Sequence, residues 1–280
     1  MLQTAGLLNE DGEPTSFDGS HKFKLVDVGF GCGDQTLYLT KSLCRLDAET
    51  KNHRALFDSY IGMTLVRSQA DFAQQRLSAY VPSEEQAKTG TPELHIFCAN
   101  AADPTTWSPE LLKAVRDELT FPLRPHNEQT TTTHTWLLAL DTLYHFRPSR
   151  KPLFNLASQN IHASIMAFDL LLSDSASLID RLLLRIICIF ASIPFSNFVT
   201  RIEYEKMLVD SGYLREDVEI RDISEHVFSG IASYIQRREK ELRLFGLSLG
   251  KFKVVGKLFG WWAKSGVVIG VIVVVRGKQL

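Results

Sequence analysis

The sequence predicts an α/β fold built on a doubly wound sheet, and three observations carry that prediction. Short apolar runs alternate with helical patterns through much of the chain, the signature of strands wrapped by helices. The first such run, Lys24 to Val28, breaks into Gly29-Phe30-Gly31-Cys32-Gly33-Asp34 and then becomes helical in character, so it reads as strand, tight turn and helix start. Near the end lies a β-branched run, Val267 to Val275, that suits a buried last strand.

Taken in order, the first strand and its turn lead into a helix over Gln35 to Leu43. A second strand ends within Asp58 to Met63 and a helix follows over Ser68 to Ser78. Leu94 to Ala99 is a third strand, and Leu111 to Leu119 a helix. Pro122 to Thr133 is polar, carries proline and ends in four threonines, so it reads as a low-complexity surface loop. Trp136 to Leu140 is the fourth strand and Ala163 to Leu170 the fifth. Leu178 to Ile193 is apolar around most of its circumference at helical length, and Arg201 to Ser211 is an amphipathic helix stopped by Gly212. Val218 to Ile223 alternates as a half-buried sixth strand should. Helices over Phe228 to Leu244 and Phe252 to Ala263 separate it from the seventh. Seven such strands make a doubly wound sheet with one antiparallel member, and no internal repeat interrupts it.

Composition narrows the function. Thirty-one Lys and Arg face 32 Asp and Glu in 280 residues, so overall charge points neither to nucleic acid nor to strongly charged substrates. Cys32, Cys44, Cys98 and Cys188 are scattered, without Cys-x-x-Cys or flanking histidine pairs, which argues against a zinc site or a disulfide framework and fits a reducing cytoplasm. Met1 to Phe23 is a short polar segment with no apolar core, unlike a secretory signal. Leu178 to Phe195 carries Asp180, Arg181, Arg185 and Pro194, and Val267 to Val275 is too short, so neither is expected to span a bilayer. The expected partner is a small or apolar molecule; nothing speaks to oligomeric state.

The glycine corner is the main chemical signal. Glycine there lets the backbone take positive φ and lets a ligand approach where a Cβ would collide. The helix that follows offers free N–H groups at its first turn. The spacing is Gly-x-Gly-x-Gly, not the Gly-x-Gly-x-x-Gly of dinucleotide sites, and no Gly-Lys-Ser/Thr follows, which favours a nucleotide-like cofactor without a pyrophosphate.

The string Lys24 to Gln35 resembles the first motif of class I S-adenosylmethionine-dependent methyltransferases. Gly62-Met63-Thr64-Leu65-Val66-Arg67-Ser68-Gln69 is similar to a stretch of the branch that contains tocopherol methyltransferases and cyclopropane fatty acid synthases. Leu140-Asp141-Thr142-Leu143-Tyr144-His145-Phe146 is similar to that branch's motif after the fourth strand, and Tyr204-x-x-x-Leu208-x-x-x-Gly212-Tyr213 to its ending before the sixth. The resemblance covers most of Lys24 to Arg276. It implies a Rossmann-like seven-stranded sheet with the last strand antiparallel, one methyltransferase domain over residues 24–280, and an apolar substrate lid over 173–200 after the fifth strand. The implied cofactor is S-adenosylmethionine, with S-adenosylhomocysteine as product. One departure is the N-terminus, where relatives carry a helical segment that closes over the cofactor. Closure is then expected from elsewhere in the chain, or the chain is a shortened form with impaired activity.

The resemblance implies a cofactor site formed by Asp27, Gly29, Phe30, Gly31, Gly33 and Gln35 at the first strand, Thr64 and Gln69 at the second, Asn100 and Ala101 after the third, and Leu140 and Asp141 after the fourth. No acidic residue ends the second strand, so Thr64 and Gln69 are expected to meet the ribose in its place. Asp27 either meets the methionine end of the cofactor or anchors the glycine turn. Asn100 either recognises adenine or closes an Asx turn. Asp141 either holds the cofactor's amino group or orients its loop. His145 is the catalytic candidate, since an imidazole at a strand's C-terminal edge can take a proton from an acceptor near neutral pH; its alternative is to hold Tyr144 and Phe146 in place. Tyr144 is expected at the substrate mouth, and the other histidines show no ligand spacing. Lys251, Lys253, Lys257 and Lys264 interleave with Phe252, Leu258, Phe259, Trp261 and Trp262, a composition that fits either peripheral membrane contact or a core helix. The resulting expectation is methyl transfer to a small lipophilic or aromatic acceptor at carbon, nitrogen or oxygen. A SAM-assisted cyclisation or rearrangement and a non-catalytic SAM-binding protein are the alternatives.

Overall fold

The computed structural model describes residues 1–15, 21–46, 53–80, 92–119, 132–191 and 193–277. Seven strands form one sheet: β1 (His21–Val28), β4 (Ser59–Thr64), β5 (Glu93–Cys98), β6 (Thr132–Leu140), β7 (Ser164–Leu172), β8 (Val218–Asp222) and β9 (Val268–Val275). Their spatial order is β5-β4-β1-β6-β7-β9-β8, and β9 runs antiparallel to both of its neighbours. Two three-residue strands, β2 (Cys44–Leu46) and β3 (His53–Ala55), pair separately. The helices are α1 (Asp34–Leu37), α2 (Arg67–Ala79), α3 (Pro109–Leu119), α4 (Lys151–Asn155), α5 (Leu178–Ala191), α6 (Arg201–Asp210), α7 (Ser224–Arg243) and α8 (Phe252–Ser265).

The strands read as apolar runs because the sheet is covered on both faces. Successive residues go to opposite sides, so Leu25, Trp136 and Leu138 pack in one core with Leu39, Leu43 and Tyr60. Val26, Val28, Leu137 and Ala139 pack in the other with Leu111, Phe154, Tyr204 and Leu208. A third cluster joins β7 through Leu170 and Leu172 to Leu184 and Cys188 of α5, Phe228 of α7 and Trp262 of α8. Parallel pairing of β1 with β4 and β6, and of β4 with β5, brings four strand ends and their turns to one edge of the sheet. In open α/β sheets that edge is where ligands bind.

Several expectations change. Met1 to Phe23 is not simply a polar lead: Ala5 and Leu7 are buried in the core beside Phe23 and Leu25, and His21–Phe23 already belong to β1. Thr132 and Thr133 open β6 rather than closing a loop, since they pair with His21 and Lys22; the rest of the expected loop, Pro122 to Thr131, lies outside the described residues. The helix expected to Leu43 is α-helical only to Leu37 and continues as a π turn over Tyr38–Ser42. Among the described residues no helix is long and apolar enough to cross a membrane.

Candidate functional site

The three glycines after β1 all take positive φ, 80° at Gly29, 64° at Gly31 and 86° at Gly33, but for different reasons. A Cβ at Gly29 would lie 2.6 Å from Thr142 Oγ1, so this glycine lets the β6 turn close in. A Cβ at Gly33 would lie 2.8 Å from the Ala73 Cβ, so this one seats α2, helped by Phe30 buried against Ala70 and Ala73. A Cβ at Gly31 would meet nothing within 4 Å. Its backbone faces an open cavity of about 510 Å³, within the size range of small-molecule sites.

That cavity gathers eight of the expected residues from four strand ends: Gly29, Gly31, Thr64, Gln69, Asn100, Ala101, Asp141 and His145. Thr64 Oγ1 donates to Gln69 Oε1 at 2.8 Å, which fixes the glutamine side chain at the end of β4. Asn100 does close an Asx turn, its Oδ1 accepting from the Ala102 N–H at 3.1 Å, while still lining the wall. Asp141 holds φ at 57°, a left-handed conformation that aspartate tolerates better than most residues. Burial pushes its carboxyl above the usual range against a hydrogen bond from Tyr144. The His145 imidazole is held below its ordinary pKa, chiefly by burial, with Asp141 pulling the other way.

Asp27, Phe30, Gly33, Gln35, Leu140 and Tyr144 do not line the cavity. Asp27 is fully buried, and its oxygens accept from Gln35 Nε2 at 2.6 and 2.7 Å and from the Tyr60 hydroxyl at 2.6 Å. Burial pushes its carboxyl up to about 6. This geometry ties the strand to the first turn of α1, the anchoring alternative for Asp27. Tyr144 is buried with its ring centroid 4.2 Å from that of His145, so it backs the imidazole instead of facing the mouth. Thr142 and Phe146, which belong to the motif after the fourth strand but were not expected at the site, line the cavity, as does Arg147 beside them.

The His145 segment is held by residues distant in sequence. Asn197 Nδ2 donates to the carbonyls of Tyr144 at 3.0 Å and Phe146 at 2.6 Å, one on each side of His145. Asn197 is positioned in turn by Arg150, whose Nη2 donates to its carbonyl at 2.6 Å while Nη1 pairs with Asp169 Oδ2 at 2.6 Å. Arg150 and Asp169 are both fully buried. The arrangement reaches from β7, through the segment after α5, to the backbone on either side of His145.

No family model matches the sequence, and no curated protein matches it significantly. Solved structures do resemble it. The geranyl diphosphate C-methyltransferase of Streptomyces coelicolor A3(2), solved with Mg²⁺, geranyl diphosphate and S-adenosyl-L-homocysteine, is similar over 99% of this chain and 77% of its own, at 16% identity and a TM-score of 0.53. The fold is that of class I methyltransferases. The cyclopropane synthase MmaA2 of Mycobacterium tuberculosis is similar over 98% of this chain and 82% of its own, at 13% identity and a TM-score of 0.56. A putative sarcosine dimethylglycine methyltransferase of Galdieria sulphuraria covers all of this chain and 83% of its own, at 10% identity and a TM-score of 0.56.

The methyltransferase fold can be tested against the residues at the cavity. A backbone left open at Gly31 and a hydroxyl and amide at the end of β4 fit a nucleoside-bearing ligand. Gly31→Val is expected to abolish the binding of S-adenosylmethionine that the sequence resemblance implies; its Cβ would meet no protein atom, but a β-branched residue at φ 64° strains the turn, so the fold is checked alongside the binding. Calorimetry together with circular dichroism checks this; unchanged affinity in an intact fold would place the cofactor elsewhere.

Proposed function

We propose that this chain transfers a methyl group from S-adenosylmethionine to a small lipophilic or aromatic acceptor. The observation that carries the reading is one cavity lined by both the open Gly31 backbone and His145. The cofactor, when bound, supplies a sulfonium methyl and leaves as S-adenosylhomocysteine. Thr64, Gln69 and Asn100 hold its nucleoside, and His145 takes the proton from the acceptor atom. A neutral imidazole suits that task, and its lowered pKa keeps it neutral near pH 7. Positioning supplies much of the remaining effect, because an in-line displacement depends on alignment.

We read residues 24–280, together with the N-terminal segment packed onto their first strand, as one catalytic domain and residues 173–200 as its acceptor-side lid. Support for a lipophilic acceptor comes from α5, whose Leu178, Ile179, Leu182, Ile189 and Phe190 are exposed while only Leu184 and Cys188 of that helix are buried. The lid residues do not line the cavity, but Asn197 ties the segment to the carbonyls flanking His145. The fold neighbour solved with geranyl diphosphate holds a ligand whose geranyl chain is apolar, although its diphosphate is charged.

The test has two stages. Calorimetry with S-adenosylmethionine and S-adenosylhomocysteine is expected to show binding of both. Mass spectrometry on a lipophilic acceptor library is then expected to show a product heavier by one methylene unit. Binding without transfer to any acceptor would leave a non-catalytic binder, and absence of binding would remove the cofactor assignment itself.

A further inference from the structure

We propose that the turn joining α7 to α8 docks on an anionic lipid surface. The two helices form a hairpin in which Gly256 lets them approach closely, since a Cβ there would lie 2.8 Å from Ile235 Cγ2. At its tip Leu244 is 83% and Phe245 78% exposed, and Leu247, Phe252 and Val254 are exposed beside them. Between positions 237 and 257 stand seven Lys and Arg against only Glu239 and Glu241, in a chain whose formal net charge is −1. An apolar tip ringed by excess positive charge matches the headgroup region of an anionic bilayer, where apolar side chains insert and cations remain at the phosphates.

The tip is built to hold those side chains outward. Glu239 accepts from the Leu249 N–H at 2.8 Å, from Arg243 Nε at 3.2 Å and from the Ser248 hydroxyl, and it pairs with Lys253 at 3.3 Å. Leu247 N–H donates to the Leu242 carbonyl at 3.0 Å, closing the end of α7. Glu239 pairs with Arg243 and Lys253, and Glu241 with Arg237 and Arg238, which leaves Lys240, Lys251 and Lys257 as the exposed cations beside the tip. A second copy of the chain is a poorer occupant, because tip-to-tip contact would set two positive collars against each other. Of the basic and aromatic residues of α8, Phe252 is exposed, whereas Trp262 is buried and Phe259 and Trp261 pack against the third core cluster. The proposed contact surface is the turn before that helix together with its first residues.

Vesicle co-sedimentation of the full chain, without cofactor or acceptor, tests this independently of methyl transfer. Binding is expected to phosphatidylcholine vesicles containing phosphatidylserine, to weaken with added salt, and to be much weaker on phosphatidylcholine alone. Lys251→Gln with Lys257→Gln is expected to lower partitioning by about fivefold per lysine, or about 25-fold together. Phe245→Ser with Leu247→Ser is expected to lower it by about tenfold or more. Light scattering and thermal melts on the same samples report assembly and folding. If the apolar pair fails to fold, the lysine pair decides. No binding to the anionic vesicles, or full binding by the lysine pair, overturns the proposal, as does a dimer that the apolar substitutions convert to a monomer.

Discussion

Arg150→Leu is expected to destabilise the protein by about 3–5 kcal/mol, the cost of breaking a buried ion pair from one side. Arg150 and Asp169 are wholly excluded from solvent, and the guanidinium also lies 5.0 Å over the Tyr204 ring. Leucine would leave the Asp169 carboxylate in the core with the Leu170 N–H as a remaining partner at 2.8 Å. Burial already holds the Asp169 pKa above its ordinary value against the pull of Arg150, and losing the guanidinium would raise it further. A raised pKa gives stability at low pH that is lost as pH rises, and the deficit against the unmodified protein should shrink in acid. Urea unfolding at two pH values reads both effects. Arg150→Leu combined with Asp169→Leu should recover much of the loss, because the cost lies in the unpaired charge more than in the pair. Arg150→Lys should fall between, since an ammonium cannot reproduce the two-pronged geometry that reaches both Asp169 and Asn197. An unchanged urea midpoint in Arg150→Leu would show that this pair does not hold the core.

That ion pair was invisible in the sequence, and the reason is physical. Arg150, Asp169 and Asn197 are ordinary polar residues separated by 19 and 28 positions, and only the folding of α4 and the α5 segment onto β7 brings them together. The strands were legible because a parallel sheet covered on both faces needs continuous apolar runs, and the three glycines because each turn position takes positive φ. What the glycine spacing could not show is that Gly29 and Gly33 serve packing against Thr142 and Ala73 while Gly31 alone opens to the cavity. β2 and β3 left no trace, since three residues of mixed polarity carry no period. α4 was also missed, with Pro152 near its start and a π turn over Leu156–Asn160 distorting its pattern. In α8 the composition was read correctly as basic and aromatic, but periodicity alone could not say which aromatic residues the third core would take.

His145→Gln is expected to reduce turnover by about 100-fold or more while affinity for S-adenosylmethionine stays nearly constant, because a general base acts in the transition state. The expectation rests on where the imidazole stands: on the cavity wall, backed by Tyr144 at 4.2 Å between ring centroids, with Asn197 fixing the carbonyls on either side. Its pKa is lowered, so the neutral ring that accepts a proton dominates from below the ordinary value of about 6.5 upward. Turnover in the unmodified protein should accordingly rise with pH through a value under that figure and then level off. Glutamine keeps a polar side chain of similar reach but cannot take the proton, so the acid limb should vanish. The defect should also shrink at high pH, where the acceptor ionises without help. A merely structural His145 gives a different pattern: the segment around Tyr144 and Phe146 loosens, KM rises or the melting temperature falls, and no rescue by pH follows. Asn197→Ala separates the two further. It removes the clamp without touching the base, so turnover should drop while the acid limb persists. A His145→Gln protein that turns over at the normal rate at every pH on both sides of the ordinary imidazole value would take the imidazole out of the mechanism and leave alignment as the chain's main contribution.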